Sequence, residues 1–185
     1  EAVHEAHRIG IIHRDLKPAN IMVERSEAGA WMPYLMDFGL AKEMAGPGLT
    51  QDGTAAGTPF YMSPEQAAGD LQKLDRRTDV YSLGATLYEL AAGMPPFDGP
   101  TVLDVLDKVV HAEAVPLRKR NGSLPEDLES IVMKCLEKEP QRRYDSARAL
   151  AEDLGRFLDG EPVRAKPASL FYRLRKKAVK NKLAV

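Results

Sequence analysis

Two carboxylates, a carboxamide and an ammonium stand close together near the start of the 185-residue chain. The run His13-Arg14-Asp15-Leu16-Lys17-Pro18-Ala19-Asn20 carries three of them, and Asp37-Phe38-Gly39 carries the fourth. A carboxylate such as Asp15 can accept a proton, and a lysine such as Lys17 can offset negative charge. Asn20 and Asp37 offer hard oxygens, the ligand type that magnesium takes in small number. These residue types suit transfer of a densely charged group such as a phosphoryl. There, positioning and charge neutralisation matter more than covalent help.

The surrounding pattern says what must hold these residues. Residues 1–9 read as the end of an amphipathic helix, punctuated by Gly10. Ile21-Met22-Val23 and Tyr34-Leu35-Met36 are short apolar runs around a turn-rich stretch, so a small hairpin is predicted between the two motifs. Trp31 is expected to pack at its tip. Residues 40–60 are rich in Gly, Thr, Pro and Ala and read as a long loop. From Thr78, the residues Val80, Leu83, Leu87, Leu90 and Ala91 recur at helical spacing until Gly93 and Pro95-Pro96. Further helices are predicted over 101–112, 125–137 and 145–158. The fold class is therefore mainly α with one small β-hairpin.

Bulk composition narrows the class further. Apolar residues make up 44% and charged residues 29%, a globular balance and not a disordered one. A net charge of −1 gives no reason to expect a nucleic-acid partner. The single cysteine, Cys135, cannot form a disulfide framework and points to a reducing compartment. It shares a helical stripe with Leu128, Ile131 and Val132, which predicts a buried apolar role. His4, His7 and His111 lack the pattern of a zinc site and read as ordinary surface or core histidines. No apolar run reaches the roughly 18 residues of a membrane span. The chain opens on Glu1 and both ends look cut, so a longer parent protein is expected.

The two motifs closely resemble the catalytic loop and metal-binding triplet of the protein kinase superfamily, in its bacterial-type Ser/Thr branch. Seven positions of the first motif match. At about 5% usage per residue, that is a chance on the order of one in a billion per start site. The resemblance runs over residues 1–158 and implies the C-terminal lobe of the kinase fold. It implies that Asp15 orients or deprotonates the acceptor hydroxyl and that Lys17 lies near the transferring phosphate. Asn20 and Asp37 would then hold Mg2+, or Mn2+ in its place, beside ATP. His13, Phe38 and Gly39 would be structural.

Gly57-Thr58-Pro59-Phe60-Tyr61-Met62-Ser63-Pro64-Glu65 resembles the end of the family's activation loop, with Ser63 where alanine is usual. The resemblance implies that Asp79 hydrogen-bonds the catalytic-loop backbone and that Glu65 pairs with Arg143. These three are read as scaffold. Lys17 and Thr58 point to Ser/Thr acceptors on protein substrates, with Thr58 beside the acceptor. Arg14 before Asp15 suggests regulation by phosphate on Thr50 or Thr54, including autophosphorylation.

Two features lie outside that frame. No glycine-rich loop, strand lysine or partner glutamate precedes the motifs, so the ATP-gripping N-terminal lobe is expected elsewhere and this piece alone is expected to be inactive. Residues 159–185 read as a separate basic tail: from Glu161 to the end there are eight Lys/Arg and one acid. The tail resembles a juxtamembrane segment, implying a cytoplasmic position and a membrane span beyond residue 185. The alternative reading is a non-catalytic, pseudokinase-like binding module. The presence of Asp15, Lys17, Asn20 and Asp37 together argues against it.

Overall fold

Chain direction changes wherever the sequence supplies a cap or a breaker. The computed structural model describes residues 1–27, 29–38 and 59–166, and these contain seven α-helices and one two-stranded sheet. Helix α1 (Ala2–Arg8) leads into the polar loop, and strands β1 (Ile21–Arg25) and β2 (Trp31–Leu35) follow. They pair antiparallel with Ile21 opposite Leu35 and Arg25 opposite Trp31. Pro33 is tolerated because a two-stranded sheet has only edge strands. The ladder ends with Met36 N donating to Asn20 O at 2.9 Å. That rung brings the end of the loop beside the start of Asp37-Phe38.

The helices obey their caps. The short α2 (Pro64–Ala67) starts on Ser63, and α3 (Arg76–Ala92) starts on Asp75, whose carboxylate accepts Arg77 N at 2.7 Å. Helix α3 ends at Gly93, with φ of 75°, a left-handed value that glycine adopts without steric cost. Thr101 and Asp104 form a reciprocal cap on α4 (Val102–His111). The short α5 (Leu117–Arg120) precedes α6 (Glu126–Cys135), whose first turn holds Glu126, Asp127 and Glu129 at the positive end of the helix dipole. Ser146 caps α7 (Ala147–Leu158). The four-residue helices α2 and α5 are absent from the sequence expectation, because one turn is too short to show a period.

Helix α3 is the axis of the lobe. Its residues Thr78 to Ser82 are consecutively buried, so this stretch is enclosed on every side and not amphipathic. Tyr81, Tyr88, Phe97, Val105, Val109 and Val132 fill the cluster on one side. Val80, Ile131, Cys135, Tyr144, Leu150 and Val163 fill the other. Leu90, expected on the inward stripe, is instead 71% exposed in the last turns of α3. Trp31 also departs from expectation. It is 67% exposed at the hairpin, with the Arg25 guanidinium 5.7 Å from its ring centroid.

Contact with the body continues past α7. Val163 is buried, and Arg164 N and Ala165 N donate to the fully buried Asp153 at 2.5 and 2.9 Å. Tyr144 completes the cradle with a 2.7 Å bond to the same carboxylate. Lys166 pairs with Glu126 at 2.9 Å and Asp127 at 3.0 Å. Residues 162–166 thus form a strap across α7 and α6 that turns at Arg164 and Ala165, although the sequence pattern reads them as part of a departing tail.

Close approach of α3 to α6 depends on one glycine. A methyl group on Gly84 would sit 2.3 Å from Cys135 Cβ, well inside van der Waals contact. Gly84→Ala is expected to cost about 1–3 kcal/mol by overpacking, or more if the helices cannot separate. Urea unfolding of the variant beside the parent protein measures this.

Candidate active site

The loop from His13 to Asn20 is held by a buried carboxylate. Asp79, in the first turn of α3, is fully buried. Its Oδ2 accepts His13 N at 2.8 Å and its Oδ1 accepts Arg14 N at 2.8 Å. His7 on α1 adds a third bond, Nε2 to Asp79 Oδ2 at 2.7 Å. Arg14 has φ of 62° and Asp37 has φ of 55°, left-handed values that cost of order 1–3 kcal/mol each for side-chain-bearing residues. The two Asp79 bonds offset that cost at Arg14.

His13 joins the loop to the triplet. Its fully buried ring has Nε2 2.9 Å from Met36 O, and Asp15 N donates to its Nδ1 at 3.3 Å. Those partners fix the neutral tautomer with the proton on Nε2. Phe38 packs on the same ring with centroids 4.9 Å apart.

The chemistry-bearing side chains converge on Asp15. Lys17 Nζ lies 3.0 Å from Asp15 Oδ2, with both side chains about one-fifth exposed. Asn20 is buried, and its amide nitrogen donates to Asp15 O at 2.8 Å. That bond occupies the nitrogen end of the carboxamide. Asp37 follows the ladder rung between Met36 and Asn20 and is exposed. An apolar groove of about 590 Å³ touches Leu16 and Ile21 but none of Asp15, Lys17, Asn20 or Asp37. It lies apart from these groups.

A second buried pair braces the segment after residue 58. Arg143 donates to both carboxylate oxygens of Glu65 at 2.8 Å, a fork in which both side chains are almost wholly buried. Its remaining donors reach Glu137 O, Lys138 O and Arg77 O, and Thr78 Oγ1 donates to Glu65. Burial pushes the Glu65 carboxyl up, but the hydrogen bonds and charge of Arg143 outweigh it and hold the group below its ordinary range.

Of the residues singled out from the sequence, the structure gathers Arg14, Asp15, Lys17, Asn20 and Asp37 around one loop. His13, Phe38 and Asp79 support them, and Glu65 and Arg143 form a separate brace. Gly39, Thr50, Thr54 and Thr58 lie outside the described residues, as does the chain from 167 to 185. Two contributors escape the sequence pattern. His7, read as an unassigned histidine, bonds Asp79 from 72 residues away, and Gln66 reaches the loop from 52 residues away. No local spacing rule signals either one. Cys135 is fully buried and burial pushes its thiol well up, which makes it unreactive. Among the described residues, no helix is long and apolar enough to cross a membrane.

Fold and site together describe a helical lobe with a hairpin-linked pair of loops suited to phosphoryl chemistry. The family model for the protein kinase domain matches residues 1–154, and the chain belongs to that family. It is 43% identical over 167 residues to serine/threonine-protein kinase PknB of Mycobacterium tuberculosis, covering 89% of this chain and 26% of that protein. A probable serine/threonine-protein kinase of Streptomyces coelicolor, SCO3848, is 41% identical over 170 residues, covering 91% and 24%. The chain thus spans about a quarter of the length of these relatives. In three dimensions it resembles the crystal structure of Rad53 1-466 in complex with AMP-PNP. The TM-score is 0.62 at 26% identity, over 80% of this chain and 35% of that one.

The Glu65–Arg143 brace carries a testable pH dependence. The folded-state pKa of Glu65 is depressed, so its contribution is complete above the ordinary value of 4.5 and is lost as pH falls below it. Arg143→Met leaves a buried unpaired carboxylate and is expected to cost about 3–5 kcal/mol at neutral pH. Unfolding curves at several acidic pH values should show the gap between parent and variant shrinking as Glu65 protonates.

Proposed function

We propose that this chain is the C-terminal, catalytic lobe of a Ser/Thr protein kinase that moves phosphate from ATP to protein hydroxyls. One observation carries the reading: Asp15, Lys17 and Asn20 are joined by direct hydrogen bonds on a loop whose backbone is fixed by Asp79. Asp15 receives or orients the acceptor proton. Lys17, 3.0 Å from Asp15, supplies the positive charge that offsets negative charge on the transferring group.

Asn20 and Asp37 fit a magnesium or manganese ion. The Asn20 nitrogen is committed to the loop, so its oxygen is the donor that remains, and Asp37 supplies a carboxylate. When bound, the ion would neutralise phosphate charge. Phe38 and Gly39 complete the metal-binding triplet, and Thr58 shapes the acceptor side. Thr50 and Thr54 are the candidate phosphate carriers, by autophosphorylation or in trans, with Arg14 as receptor. Among the described residues, Arg14 Nε is buried without a hydrogen-bond partner, which supports that role.

The ATP-gripping lobe belongs, on this reading, to chain beyond these residues. Support comes from the hairpin, whose Met22, Val23, Met32 and Tyr34 are between 44% and 53% exposed. Apolar strands of that kind are covered in a stable domain. The run of eight Lys/Arg between Glu161 and Val185 supports a cytoplasmic position beside a membrane anchor.

Asp15→Asn in the full-length protein should lower phosphotransfer to a Ser/Thr substrate at least about 100-fold, measured with radiolabelled ATP. Full activity in that variant would sink the assignment. The 185-residue chain alone is expected to bind ATP weakly and not to turn over. Asp15-dependent turnover by the piece would refute the need for a second lobe.

A further inference from the structure

We propose that Gln66 is a positioning residue for Asp15, holding the peptide that joins Arg14 to Asp15, the peptide after the one that Asp79 holds. The inference rests on the kinase reading and adds a residue to it.

The geometry begins with a cap. Ser63 Oγ accepts Gln66 N at 3.4 Å, and Gln66 Oε1 accepts Ser63 N at 3.1 Å and Ser63 Oγ at 3.2 Å. This reciprocal box consumes the oxygen end of the Gln66 amide. The nitrogen end donates to Arg14 O at 2.8 Å. No amide flip is consistent with these contacts. Ser63 N–H can only donate and Arg14 C=O can only accept, so the two partners fix which end of the carboxamide is oxygen.

Arg14 is the residue where such a tether counts. It has φ of 62°, and its own N–H is already taken by Asp79 Oδ1. Asp79 therefore fixes the peptide entering Arg14. The peptide leaving it is held at both ends, by the long 3.3 Å bond from Asp15 N to His13 Nδ1 and by the shorter bond that Arg14 C=O accepts, and that peptide plane sets the direction of the Asp15 side chain. Gln66 supplies the bond from α2, the same short helix that carries Glu65. The Glu65–Arg143 brace and the catalytic loop are thereby linked through adjacent residues of one turn. Ser63, which departs from the alanine of the resembled motif, fits this arrangement, because its hydroxyl steers the Gln66 amide.

One substitution separates capping from positioning. Gln66→Glu keeps the oxygen that closes the box on Ser63, but at a pH where it is ionised it cannot donate to Arg14 O. In the full-length protein it should lower kcat about 10- to 100-fold, as a misoriented Asp15 requires. The KM for ATP should stay within about twofold, because the loss falls on the transition state alone. The melting temperature should fall only slightly, by the loss of one part-buried hydrogen bond, because the cap on Ser63 remains. Gln66→Met, which loses both ends of the amide, should lower kcat equally but also melt earlier. Full kcat in Gln66→Glu overturns the proposal. So does a loss of kcat that tracks the loss of melting temperature across the two variants, since that is the mark of a merely structural role. An inactive parent protein would instead overturn the kinase reading itself.

Discussion

A single buried carboxylate governs the geometry of the loop. Asp79 has no access to water, so its oxygens must find donors within the protein. Two of those donors are the backbone N–H groups of His13 and Arg14. The loop therefore wraps the end of α3 in one way only, and the left-handed turn at Arg14 is tolerated as part of that wrapping. His7 closes the remaining approach from α1. The geometry of the loop follows from a desolvation requirement in the core, not from attraction among the exposed polar groups themselves. Asp15 and Lys17 keep partial exposure because the rigid element lies beneath them.

The Glu65–Arg143 fork follows the same logic at a second place. Burying a salt bridge yields little net stability over an apolar pair, but once buried neither partner can leave without a large penalty. Such a pair acts as a register mark. It ties α2 to the turn before α7, and the carbonyls around Arg143 use up its remaining donors. With α2 fixed in that way, its next residue faces the loop. Two polar anchors thus reach the loop, Asp79 directly and the Glu65–Arg143 fork through Gln66.

Much of this was legible from the residues alone, because catalytic loops are written as contiguous runs. His13 to Asn20 and Asp37 to Gly39 announce their chemistry locally, and the hairpin between them follows from alternating runs and a turn. The five long helices were recognisable, with boundaries displaced by one or two residues. What escaped depends on contacts distant in sequence. His7 and Gln66 look ordinary because their partners lie 72 and 52 positions away. Leu90 fitted a helical stripe, yet α3 is enclosed along its first turns and open at its end, so one period cannot describe both. Residues 162–166 contain a proline and basic side chains, the composition of a departing tail. Their attachment rests on two backbone N–H groups, which carry no compositional signal.

That attachment decides how tension would enter the molecule. The segment 162–166 is fastened at Val163, at Asp153 through two backbone bonds, and at Glu126 and Asp127 through a lysine. A pull on that segment is shared between α6 and α7 and does not peel the last turn of α7 by itself. The strap thus works as a strain relief, of the kind that keeps a cable from bending at its socket.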